Sequence, residues 1–158
     1  MTQDRVPAAA DPRPADRDPG RRPRLALIAH DGKKADMIAF ATFNRGTLQR
    51  CSLVATATTG RLLREKVGLQ VEVLESGPVG GDVQIASRVV AGEIDAVLFI
   101  VDPLDKHPHD PDIQTLLRIC NVHDVALATN ITTADMVISS PLLWAGAEPA
   151  PGVGATLG

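Results

Sequence analysis

Three kinds of side chain gather in this chain at the places where short apolar runs end: hydroxyls, carboxylates and imidazoles. The stretch TATTG carries Thr56, Thr58 and Thr59 ahead of Gly60. A threonine turn that opens a helix suits an oxyanion, because the first N–H groups and the positive end of the dipole already favour negative charge. Plain N-capping accounts for one threonine but hardly for three. Lys34, in the first turn of the first helix, either adds a point charge to the same anion or is simply solvated. The stretch SGPVGGDVQ, residues 76–84, holds one charge, Asp82, on bare backbone where Gly77, Gly80 and Gly81 let a ligand approach the main chain. His30 and His109 each stand beside an aspartate. An anion site next to a bare carboxylate and an imidazole fits proton removal beside a carbonyl, with Asp82 as base and the imidazole holding the growing oxyanion.

Other chemistries are excluded by pattern. No G-x-G-x-x-G follows the first apolar run and no G-K-S/T follows the glycines, so the anion reads as a small phosphorylated metabolite, not a nucleotide. Asp31, Asp82, Asp102, Asp112, His30 and His109 are too rich in carboxylate for a zinc geometry, and Cys51 and Cys120 fall elsewhere as buried, reduced thiols. Neither metal nor organic cofactor is expected. Asp112 doubles as a helix opener after Pro111, and Asp102-Pro103 as a turn device. A net charge of -3 and a pI near 5.7 argue against nucleic acid as a partner. No apolar run approaches the roughly 18 residues of a membrane span, and no signal-peptide pattern opens the chain, so a cytoplasmic protein is expected.

The elements that must position these residues follow a rhythm of short apolar runs and longer amphipathic ones, the pattern of a parallel sheet with helices on both faces. Strands are expected at 25–29, 52–56, 70–74, 96–101 and 125–129, with helices at 33–47, 60–66, 83–92, 112–123 and 132–139. In such a sheet ligands bind beyond the C-terminal ends of the strands. HDGKK, TATTG, SGPVGGD, DPLDKHPHDPD and NITTAD each follow one strand, which brings the polar residues to one edge. Residues 1–24, rich in Pro, Asp and Arg, read as a disordered tail with a weak case for a basic docking patch at Arg21, Arg22 and Arg24. Residues 25–143 form the domain, and 144–158 a flexible end in which Trp144 is a packing residue that seals the bottom of the core.

Taken together, AHDGKK, TTG, SGPVGGDVQ, DPL with PHDPD, and ATNITTAD resemble the methylglyoxal synthase family in order and spacing, from about Leu25 to Pro141. The resemblance implies a Rossmann-like, three-layer α/β/α domain with a five-stranded parallel sheet of order 3-2-1-4-5, assembled as a homohexamer. It implies conversion of dihydroxyacetone phosphate to methylglyoxal and inorganic phosphate through an enediolate, with phosphate as product and candidate inhibitor. By position, Asp82 is the general base and His109 polarises the carbonyl and shuttles protons. His30, Lys34, Thr56, Ala57, Thr58, Thr59, Gly60, Ser76 and Gly77, with His109, hold the substrate. Asp31, Asp102 and Asp112 support these groups or relay protons, and Arg118 matches an arginine near subunit contacts.

Two departures stand out. Ala57 occupies a position where the family usually has glycine, and no arginine or lysine follows Arg118, whereas relatives often bring C-terminal cations toward the phosphate. The main rival is a non-catalytic, phosphometabolite-binding regulatory module of the same fold, as in carbamoyl phosphate synthetase; such a module needs the threonine turn but not Asp82 with His109. A phosphoacceptor receiver domain fails, since it wants an aspartate after the third strand and a lysine after the fifth, where this chain has Ser76 and NITT.

Overall fold

The apolar runs become β1 (Arg24–Ala29), β2 (Ser52–Ala55), β3 (Val71–Val73), β4 (Ala96–Ile100) and β5 (Ala126–Ala128) in a computed structural model that describes residues 21–75, 80–104 and 113–145. All pairings are parallel and the order is β3-β2-β1-β4-β5. β1 is central because it is apolar on both faces: every residue of it from Leu25 to Ala29 is fully buried, as a strand sandwiched between two layers requires.

Helices α1 (Lys34–Phe43), α2 (Arg45–Leu48), α3 (Ala57–Leu62), α4 (Gly81–Val90), α5 (Ile113–His123), α6 (Ile131–Ser139) and α7 (Pro141–Trp144) complete the layers. Alternation along the strands sorts their side chains. Leu25, Leu27, Leu53, Leu98 and Ile100 meet Met37 and Phe40 of α1 and Ile138 of α6 on one face. Ala26, Ile28, Val54, Val97 and Phe99 meet Ile85 and Val89 of α4 and Leu116 and Cys120 of α5 on the other.

Several boundaries differ from expectation for visible reasons. The helix expected at 33–47 is a 3₁₀ turn (Asp31–Lys33) followed by α1 and α2, parted at Asn44, whose side chain donates to Phe40 O at 3.0 Å and to Asp135 Oδ1 at 3.2 Å. The helix expected at 60–66 starts at Ala57 and runs on as a π-helical segment (Leu63–Val67). Gly60 is therefore no helix opener; it lets α3 lie against β3, since a Cβ there would stand 2.7 Å from Val73 Cγ2. β1 takes in Arg24, and α7 was not expected. Trp144 closes α7 with its indole N–H donating to Ile138 O at 2.6 Å, and the Arg50 guanidinium lies over its ring.

Candidate active site

Parallel pairing brings the C-terminal ends of β1, β2 and β4 to one edge, and the sequence places a polar residue directly after β1 and β2 and one position further on after β4. His30 follows β1 and is fully buried, its N–H donating to Ile100 O at 3.1 Å and its ring meeting Phe99 edge to face. Its Nδ1 accepts the backbone N–H of Asp102 at 2.9 Å. A ring that accepts at Nδ1 carries its proton on Nε2, so the group offered by His30 is a donor. Asp102 is itself fixed: Oδ1 accepts from Leu104 N at 3.1 Å, the turn device read from the sequence, and its carboxylate lies so close to Gly32 that any Cβ there would overlap Oδ2. Lys34 folds back over the end of β1, donating to Ala29 O at 2.8 Å and lying 3.1 Å from Asp31 Oδ1. Asp31 is more than half exposed and acts here as the partner of Lys34.

After β2, Thr56 takes the N-cap position of α3 in extended conformation but makes no side-chain cap bond. Capping therefore does not explain this hydroxyl. Thr59 is 2 % exposed, and its Oγ1 has no hydrogen-bond partner among the described residues. An unanswered buried hydroxyl is uncommon and costly enough to call for a reason, such as a ligand. Thr58 is exposed and Ala57 buried. The N–H of Ala57 is already taken by Glu75 O at 3.2 Å, which leaves those of Thr58 and Thr59 as first-turn donors without an intrahelical carbonyl.

Asp82 corrects one expectation. It was read on a glycine loop, with the helix starting at Val83, but α4 starts at Gly81 and Asp82 sits in its first turn. The turn is entered through Gly80 at φ +108°, a conformation that favours glycine. Asp82 is 8 % exposed as a residue, with its carboxylate at the positive end of α4, and Oδ1 accepts from Val83 N at 3.0 Å. Gly81 packs tightly against the threonine turn: a Cβ there would stand 3.0 Å from Thr56 Cγ2 and would overlap Glu75 O. Asp82 and the turn are thus neighbours across two strand ends.

Ser76, Gly77, His109 and Asp112 lie outside the described residues. Among the described residues no group of three or more His, Cys, Asp or Glu is arranged to hold a metal ion. Phe99, Gly32, Glu75 and Gln84 went unassigned in the sequence; Phe99 looks like any core residue there, and the others act through close approach or backbone contact, which residue type does not reveal. Arg118 points outward from α5.

Residues 36–129 match the family model described as "MGS-like domain". The chain is 52% identical over 118 residues to a methylglyoxal synthase of Ralstonia nicotianae, covering 75% of this chain and 87% of that protein. It is 52% identical over 115 residues to one from Thermus thermophilus, covering 73% and 91%. The crystal structure of methylglyoxal synthase from Elizabethkingia anophelis superimposes with a TM-score of 0.77 at 36% identity, covering 88% of this chain and 93% of that one.

Proposed function

The chain belongs to the methylglyoxal synthase family, and on that premise we propose that it is a carbon–oxygen lyase that eliminates inorganic phosphate from dihydroxyacetone phosphate to give methylglyoxal. The observation that carries this reading is the nearly buried Asp82 carboxylate in the first turn of α4, packed through Gly81 against the threonine turn. A phosphate held on Thr56, Thr58 and Thr59 puts the substrate's carbon chain within reach of a base on the adjoining helix.

Asp82 takes a proton from the carbon that bears the hydroxyl, and the electron pair moves to the carbonyl to form the enediolate. His30, through Nε2–H, and His109 donate to the substrate's oxygens, with His109 carrying protons between the two enediolate oxygens. Lys34 offsets phosphate charge, with Ser76 and Gly77 giving it room, Gly60 letting the threonine turn pack on β3, and Asp31, Asp102 and Asp112 orienting the donors. When the C–O bond to phosphate lies perpendicular to the enediolate plane, the π pair displaces phosphate, and the enol left behind takes a proton at its terminal carbon and gives up its hydroxyl proton to become methylglyoxal.

The homohexamer belongs to the same proposal, supported by the outward side of α5, where Leu117 and Val122 are exposed beside Arg118. Light scattering that finds a monomer at micromolar concentration would remove it. No helix among the described residues is long and apolar enough to cross a membrane. The test of function is direct: purified protein should release phosphate from dihydroxyacetone phosphate, with methylglyoxal in equal amount, far faster than the substrate decays alone. Activity should survive dialysis against a chelator. Release at the uncatalysed rate would return the chain to the regulatory-module reading.

A further inference from the structure

We propose that Gln84 is a positioning residue, which sets the spacing between the threonine turn and Asp82 by gripping the peptide of Glu75 that lies between them. The inference rests on the functional reading above for its consequence, and on geometry alone for the grip.

β3 ends at Val73, and its ladder runs one rung further, where Leu74 N donates to Ala55 O at 2.8 Å. The backbone of the next residue then leaves the sheet and is bonded on both sides by other elements. Glu75 N donates to Oε1 of Gln84, in the second turn of α4, at 2.9 Å. Glu75 O accepts from Ala57 N, the first residue of α3, at 3.2 Å. The same carbonyl lies against Gly81 so closely that no side chain fits there. The backbone of one residue thus touches the helix carrying the base twice and the helix carrying the phosphate turn once.

The Ala57 bond aims α3. Ala57 N–H is a first-turn donor with no intrahelical acceptor, so whatever it bonds to orients the helix end. If Glu75 shifts, Ala57 shifts with it, and the donors of Thr58 and Thr59 move relative to Asp82. Gln84 suits the task because its side chain carries an acceptor oxygen with enough reach to meet Glu75 N. The bond is exposed, so its loss perturbs folding little. Its loss matters for chemistry, because misplacing reacting groups by about 1 Å can cost on the order of 10² in rate.

The test compares Gln84→Leu, which keeps the volume without the acceptor, with Gln84→Glu, which keeps an acceptor oxygen. Gln84→Leu should lower kcat by roughly 10- to 100-fold while inhibition by inorganic phosphate changes by no more than about twofold, since α3 keeps its own donors. Gln84→Glu should recover most of the loss. Amide hydrogen exchange at Glu75 and Ala57 should speed up in Gln84→Leu and not in Gln84→Glu. An unchanged kcat, equal impairment of both variants, phosphate affinity falling in step with kcat, or exchange at Glu75 and Ala57 that stays slow in Gln84→Leu would each overturn the proposal. If the unaltered protein releases no phosphate from dihydroxyacetone phosphate, the functional reading fails instead, and the exchange measurement alone decides whether Gln84 grips the peptide.

Discussion

Two buried polar groups, Asp95 at one end of the sheet and Thr59 at the other, are answered in opposite ways. At the N-terminal end, Asp95 is buried before β4 and almost wholly answered: Arg24 gives it a backbone N–H at 2.7 Å, Nε at 3.3 Å and a terminal nitrogen at 3.2 Å, and returns a carbonyl to Asp95 N at 2.8 Å. Arg24 spends its remaining reach on Gly92 O at 2.8 Å, so it is no part of an outward basic patch. Arg21 adds charge at 3.8 Å, too far for a hydrogen bond. At the C-terminal end, Thr59 Oγ1 is buried with no partner among the described residues, and Thr56 stands at a cap position without capping. Answered buried polarity joins two strands; buried polarity left open fits a site waiting for a ligand.

Substitutions at the two ends should therefore separate activity from stability. The largest effect belongs to Asp82→Asn, which keeps the shape and removes the basicity. A positioned base contributes about 10² to 10⁴ in rate, so kcat should fall by at least the lower figure while inhibition by phosphate persists and Tm holds. Near-normal turnover would make Asp82 a residue that only opens α4. Asp95→Ala should do the reverse. Stranding the Arg24 guanidinium costs about 3 kcal/mol, a fall of roughly 10 °C in Tm, with kcat unchanged wherever the protein remains folded. A comparable loss of kcat would show that the ends are coupled through β1 and β4.

What the sequence revealed divides along similar lines. Strand positions and the parallel layering were legible because β1 and β4 are uninterrupted apolar runs, which only a doubly covered sheet accommodates. The polar edge was legible because parallel strands must end together. Helix starts were less so: Gly60 and Gly81 look like helix breakers by type, yet both are helical, kept small by Val73 in one case and by Glu75 O in the other. Those are contacts between different elements of the fold, and residue type alone does not encode them. For the same reason Thr56 and Thr59 were named together, but only burial separates the unanswered hydroxyl of Thr59 from the exposed one of Thr58.

Thr59→Val probes that hydroxyl without changing its volume. If the group serves a bound phosphate, the inhibition constant for phosphate and the KM for substrate should each rise about tenfold, the worth of one hydrogen bond to a charged oxygen. Tm should stay level or rise slightly, because a buried unpaired donor is replaced by methyl. Affinity and stability moving in opposite directions is the signature of a site residue. A fall in both would mean that the hydroxyl serves the fold.

The smallest effect is set by pH and reports the scaffold alone. Cys51, just ahead of β2, has its thiol pushed up to about 12, chiefly by burial and against the pull of Arg50 and Arg22. Cys120, on the inner side of α5, is pushed up to about 11 by burial. Folding thus favours the protonated thiols, while the unfolded chain releases those protons near the ordinary value of 9.0. The sign follows: this contribution to stability is nearly complete at about pH 8 and below, and is lost as pH rises through about 9 toward the folded values. Between about pH 8 and pH 9 the unfolding free energy should fall by about 0.4 kcal/mol for each thiol, and Cys51→Ala should remove its share of the slope. Denaturant titrations at the two pH values measure this directly, and a thiol reagent at pH 8 should leave both cysteines unmodified in the native protein. Rapid native-state modification would mean that the covering of β2 and α5 opens readily, and the contrast between a closed scaffold end and an open ligand end would lose its first term.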